Sequence, residues 1–362
     1  MIARRALVLA AAALTGLRAT AQGVVRPGAP IALPRDFGAH PAFRIEWWYV
    51  TGWLQAPSPA EPYGFQITFF RTRTDVPASQ PSAFAARQIL FAHAALTDPV
   101  AARLRHDQRI ARTGFGIAQA SEDDTDVRLR DWSLRREGPV GRHAYRTRVD
   151  AAAQGFAFDL QLAATQPVLL QGDGGYSRKG PDPAQASYYL SEPQLDVSGT
   201  LAVAGRSQAV TGRAWLDHEW SEALLHPDAV GWDWIGMNLD DGGALTAFRL
   251  RRRDGTALWA GGSLRSADGR LRTFGPDEVA FEPGRRWTSP ATRAHYPVEW
   301  QLATPVGRFT VRARLDAQEL DSRASTGTVY WEGLADLFDA AGRRVGRGYL
   351  ELTGYVSPLR LG

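Results

Sequence analysis

The chain has no cysteine among its 362 residues. That excludes a disulfide framework, a thiolate metal site and a thiol nucleophile. Lysine is almost as scarce, with Lys179 the single one. Basic charge is therefore carried by arginine. Its densest run, RLRRR at 249–253, is too short to track a phosphate backbone and is expected to form a solvated strand face with its turn, which argues against nucleic-acid binding. Nothing after the first residues reaches membrane-spanning length. No amphipathic helical window runs beyond about two turns. Several catalytic motifs are missing as well: there is no G-x-S-x-G elbow, no H-E-x-x-H helix and no P-loop.

What is present begins with a leader. Arg4 and Arg5 precede an apolar run at 6–17, and Ala19-Thr20-Ala21 supplies small residues before Gln22. This three-part pattern predicts a signal peptide over residues 1–21, cleaved near Ala21, and a periplasmic or secreted product. Removing it takes away Arg4, Arg5 and Arg18 and leaves the formal charge of +4 near neutral. The remaining length is comfortable for two domains. Residues 22–34, rich in Pro, Gly and Ala, read as an extended lead-in.

From there the grammar is that of strands. In the aromatic run at 46–54, Trp47, Tyr49 and Thr51 share one face, and Glu46, Trp48 and Val50 share the other. Further period-two stretches are expected at 64–71, 88–97, 127–135 and 156–163, with a hairpin turning around Gly205 between 195–203 and 209–220. The second half continues with strands at 245–251, 257–264, 298–303, 308–315, 327–338 and 347–356. Breaks of Gly, Pro and Asp between these runs predict an all-β protein of sandwich or barrel type. Two domains of similar length, residues 35–221 and 222–362, are the simplest partition.

The densest chemistry lies at 212–242 (GRAWLDHEWSEALLHPDAVGWDWIGMNLDDG), where Trp215, Trp220, Trp232 and Trp234 are interleaved with Asp217, His218, Glu219 and Asp233. Aromatic walls holding a few ionisable groups are what an apolar ligand pocket looks like in sequence. A histidine beside an indole in a dry site suits proton transfer, so His218, with Asp217 and Asp233 nearby, is the expected acid–base centre. Glu46, Trp47, Tyr49, Trp220, Trp232, Trp234 and Lys179, in its glycine-rich loop at 171–181, are the expected ligand contacts. If His218 and Trp220 face inward, alternation sends Asp217 and Glu219 outward, to solvent or to an arginine of the other domain. The same alternation keeps Asp217, His218 and Glu219 from ligating one ion, and no metal or other cofactor is expected. His93 and Asp240 remain as further candidates.

These stretches also carry a resemblance. HPAFRIEWWYVTGWL (40–54), GFQITFFR (64–71), QGDGGYSRKG (171–180), GRAWLDHEWS (212–221), GWDWIGMNLDDG (231–242), YWEG (330–333) and GYLELTGY (348–355) resemble the AttH-like "predicted secreted hydrolase" family, grouped with the carotenoid 1,2-hydratases (CrtC). The resemblance implies two lipocalin-like (calycin) antiparallel β-barrel domains packed together, the first being the CrtC N-terminal type. It implies an apolar ligand and cofactor-free addition of water to an isoprenoid double bond, with aromatic faces steadying a carbocation. Carried over by position, His218 and Trp220 match the family's site motif. The strand at 245–251, where an acidic partner would be expected, carries no carboxylate. Association of relatives with lipoprotein-export ABC permeases implies a lipid-handling role instead.

Three functions follow as expectations. The first is a secreted, cofactor-free hydratase or hydrolase acting on a hydrophobic, isoprenoid or lipid-like molecule. The second is a non-catalytic lipid or lipoprotein carrier working with an ABC-type export system. The third, a glycan-active β-protein, would display tryptophan on an open platform.

Overall fold

The computed structural model describes residues 22–77, 79–223 and 225–359; the leader expected at 1–21 lies outside them. Among these residues the only helices are two single 3-10 turns, Arg35–Phe37 and Ala152–Gln154. None is long and apolar enough to cross a membrane. The remaining regular structure is antiparallel sheet. Thirteen strands from Ile45 to Ser221 form a nearly closed barrel, and ten from Gly231 to Leu352 form a curled half-barrel packed beside it. The molecule is thus the all-β pair of packed barrels expected from the sequence.

The first sheet curls because its last long strand returns to its first. Arg206–Ser221 pairs with Ile45–Gln55, which on its other edge pairs with Tyr63–Arg73. Arg206–Ser221 also forms a long hairpin with Ala186–Val203. Its turn residues Ala204 and Gly205 both have positive φ (49° and 80°), the backbone twist that a two-residue hairpin requires. The run at 127–135, expected as one strand, is instead a hairpin of Asp126–Leu129 and Trp132–Glu137. Arg130, at φ 58°, begins its turn.

Alternation along the central strands makes two dry faces. Trp48, Val50 and Leu216 point into the first barrel with Phe65, Leu96 and Leu160. Ile235, Met237, Trp300, Trp331 and Leu350 fill the second. The residues between them, Tyr49, Trp215, Trp234, Phe248 and Tyr349, form a third apolar layer where the outer faces of the two sheets meet. Gly236 belongs to this layer, because any side chain there would run into the Trp234 indole. The layer is pinned by cross-sheet hydrogen bonds. Asn238 Oδ1 accepts from Gln194 N at 2.7 Å, and its amide donates to Ala214 O at 3.2 Å.

The RLRRR run is not a solvated face. Arg249 and Arg251 are buried. Asp233 sits opposite Arg249 in the register and draws both guanidiniums inward, at 2.7 and 3.6 Å.

Candidate active site between the two sheets

A cavity of about 340 Å³ lies between the two outer faces. Strand registry builds its walls as rows. On the first sheet Trp47 stands opposite Glu219 and Tyr49 opposite Asp217. Tyr189 flanks Glu219 on the other side, and Phe70 and Phe91 continue the row. On the second sheet Trp234 stands beside Glu351, and Glu351 beside Glu332, with Phe248 next to Trp234. Aromatic side chains therefore bring four carboxyls, Asp217, Glu219, Glu332 and Glu351, face to face in a largely apolar space. All four line the cavity, with Lys179 as a cationic partner.

Burial sets their protonation. Asp217 is pushed up to about 7 by loss of hydration, against hydrogen bonds that favour its charge. Those bonds come from Ser191 Oγ (2.5 Å), Tyr189 Oη (2.7 Å) and Trp215 Nε1 (2.6 Å). Across the gap Glu351 is also pushed to about 7. Burial is again the main cause, a hydrogen bond from Trp232 opposes it, and the charges of Asp217 and Glu219 add to the rise. Burial and then Glu351 hold Glu332 well above the ordinary carboxylate range. Glu219 differs in having a cation: Lys179 Nζ lies 3.1 Å away, and Ser187 donates to the same oxygen. The ammonium also sits over the rings of Tyr189 (4.6 Å) and Phe248 (4.4 Å), which stabilises a desolvated charge. His93, buried and pushed down to about 3, is neutral, bonded to Tyr330 and Ser325 at 2.8 Å each.

These shifts carry a pH signature. Folded Asp217 and Glu351 keep protons that the unfolded chain has released by about pH 5, so their contribution to stability falls as pH rises from about 4 through 7. A double variant, Asp217→Asn with Glu351→Gln, has no such slope. It is expected to gain a few kcal/mol on the native protein between pH 5 and pH 8. Urea denaturation of both proteins at the two pH values measures this; parallel pH dependence would refute it.

The structure distributes the expected site residues over three places. Asp217, Trp47, Tyr49, Trp232, Trp234 and Lys179 line the cavity, and Glu46 borders it with its carboxyl turned into the first barrel. His218 and Trp220 do not, which corrects the expectation of an imidazole in the cavity wall. Alternation turns them into the first barrel, where His218 stacks on Trp48 (4.7 Å between centroids) and Trp220 stacks on His40 (3.8 Å). Asp233, also off the cavity, is locked between Arg249, Arg251 and the Tyr355 hydroxyl (2.8 Å). Asp217 and Glu219 do leave the barrel as expected. The second sheet covers them, however, so they are buried, and among the described residues Glu219 pairs with Lys179 in place of an arginine. Asp240 pairs with Arg344 at 3.3 Å and is likewise absent from the cavity lining. Glu332 and Glu351 join the site without any mark in the local sequence pattern.

Inside the first barrel Glu46 is a hub. It accepts from Arg71 Nε (2.6 Å), His40 Nδ1 (2.7 Å) and His218 Nε2 (2.9 Å). Glu46 is held well below its ordinary value: burial opposes its charge, and Arg71 and His40 overcome that cost. Burial also opposes the charge on His40, but Glu46 and Asp36 hold it above its ordinary value, whereas burial wins at His218 and pushes it down. Donor atoms of His40, Glu46 and His218 converge within 4.8 Å, close enough for a cation. The Arg71 guanidinium already supplies the positive charge that Glu46 needs, and the trio reads as a structural hydrogen-bond network.

Comparison with known proteins points one way. The AttH-like family model matches residues 24–355. A crystal structure described as an AttH from Nitrosomonas europaea is 50% identical, with a TM-score of 0.85 over 92% of this chain and 99% of that one. Kievitone hydratase from Nectria haematococca shares the fold at 14% identity, with a TM-score of 0.68 over 93% of this chain and 96% of that one. No curated protein matches the chain.

Proposed function

The chain belongs to the AttH-like family, and from that premise we propose that it is a cofactor-free acid–base enzyme that adds water to, or hydrolyses, a hydrophobic, isoprenoid or lipid-like molecule held between its two sheets. One observation carries this reading: Asp217 and Glu351, one from each sheet, face an apolar cavity with their pKa values both moved to about 7. Near neutral pH, with the charge of Asp217 raising Glu351 further, they offer one proton donor and one acceptor. Hydration needs both. The acid protonates one carbon of a double bond, and the base takes a proton from the water attacking the other. The indoles of Trp47, Trp232 and Trp234 would shelter the positive charge that builds between those events. The hydratase among its structural neighbours suggests the reaction class.

The test is incubation of the purified protein with a panel of apolar alkenes and esters in ¹⁸O-labelled water. Heavy oxygen appearing in a product supports the reading. A protein that binds the panel and incorporates nothing is a carrier, the role in which an ABC-type permease would be its partner. The proposal includes export: the secreted product, sequenced from its N-terminus, should begin near Gln22.

A further inference from the structure

Most polar atoms in the cavity wall are already engaged: those of Asp217 by Ser191, Tyr189 and Trp215, and Lys179 by Glu219. Tyr49 and Glu332 are different. They come from opposite sheets, both line the cavity, and both are buried, at 6% and 3% exposure. Each acts on the other as a hydrogen-bonding neighbour across the seam. Yet neither Tyr49 Oη nor Glu332 Oε1 has a partner at hydrogen-bond distance among the described residues. Leaving a buried polar atom unbonded forfeits its hydration without replacing it, so two of them facing one hollow mark where a ligand atom would be held.

The chemistry of the pair says which atom. Burial and the nearby Glu332 keep the Tyr49 phenol protonated, and burial with Glu351 keeps Glu332 protonated. Two O–H donors in a dry site suit an oxygen that carries, or is about to carry, negative charge. The geometry points to Tyr49 and Glu332 as an oxyanion hole for the carbonyl oxygen of a ketone or enone. This rests on the acid–base hydration reading above and narrows its substrate to an enone, for which water adds first and the charge that builds is negative, on oxygen, in place of the positive charge of a simple alkene.

With an enone bound this way, water attacks the β-carbon and gives its proton to ionised Asp217. The C=C π pair shifts to form the double bond between Cα and the carbonyl carbon of an enolate, and the carbonyl π pair moves onto the oxygen held by Tyr49 and Glu332. The enolate collapses by taking a proton at the α-carbon from protonated Glu351. One water has been added and nothing is oxidised or reduced. Registry supports the division of labour, since Tyr49 stands opposite Asp217 on one sheet and Glu332 opposite Glu351 on the other.

The probes are 2-naphthol and naphthalene, which share a skeleton and differ by one oxygen. The purified protein should bind naphthol about ten- to a hundredfold more tightly, and ring-substituted phenols should bind more tightly as their acidity rises. Tyr49→Phe and Glu332→Leu should each bring the ratio of the two affinities close to one, whatever either change does to naphthalene binding itself. Glu332→Gln, which keeps a neutral donor, should retain part of it. Equal affinity for the two probes, or a preference that survives both Tyr49→Phe and Glu332→Leu, overturns the proposal. Where a variant also loses naphthalene binding, the acidity series on the native protein decides. None of this requires turnover. Isotope incorporation from a simple alkene without any phenol preference would keep the hydration reading and sink this one, and a phenol preference with no turnover would do the reverse.

Discussion

Changing Asp217 to Asn is expected to slow turnover by about a hundred- to ten-thousandfold, the usual contribution of a positioned proton-transfer group. Ligand affinity should stay within about threefold, because the change removes no apolar wall. In barrier terms the loss is about 3–5 kcal/mol. Asn fits the site without a clash of donors. Its carbonyl can accept from Ser191 and Trp215 where Oδ1 does now, and its amide can donate to the Tyr189 hydroxyl, which is able to accept. Single-turnover rates, with affinity followed separately by tryptophan fluorescence, separate the two quantities. A native rate in this variant would remove Asp217 from the chemistry. His218→Ala is the control: the imidazole does not line the cavity, so its loss should act through Glu46 on stability and leave the rate per folded molecule largely intact.

The contrast between Asp217 and His218 shows how far a period of two can be read. Alternation along 212–221 separates these residues correctly, and along 46–54 it separates Trp47 and Tyr49 from Trp48 and Val50. What it leaves open is which face a second sheet will cover. Here both are covered, so the carboxyls that look outward from one barrel are as dry as the histidine looking inward. Glu332 and Glu351 illustrate the same gap. Each sits singly in a strand, in YWEG and GYLELTGY, and they become neighbours only through pairing of Val329–Asp339 with Arg344–Leu352. They meet Asp217 only through packing of two sheets, which no local pattern encodes. The hairpin at Arg130 was legible in principle. The apolar positions run odd through Val127 and Leu129 and even through Trp132 and Leu134, and that slip of phase marks the turn.

Arg71 is where the largest loss of stability is expected. Its guanidinium is 2% exposed and makes four contacts. Nε donates to Glu46 at 2.6 Å, one terminal nitrogen donates to Gln88 Oε1 at 2.6 Å, and the other donates to the carbonyls of His40 and Phe43 at 2.9 Å each. Arg71→Met fills much of the volume but leaves Glu46 buried without its fixed countercharge, and should cost about 3–5 kcal/mol. Glu46 would then be ionised only at the expense of burial, or protonated at the expense of its bonds to both histidines. If the missing countercharge is the cause, the double variant Arg71→Met with Glu46→Gln should be more stable than Arg71→Met alone, because a neutral amide costs far less to bury than a lone carboxylate. If the cost lies instead in the two orphaned backbone carbonyls, the second change recovers nothing. Denaturant midpoints of the three proteins at pH 7 decide between these. A double variant no more stable than the single one would mean that Arg71 serves the chain reversal at His40 and Phe43 more than it serves Glu46.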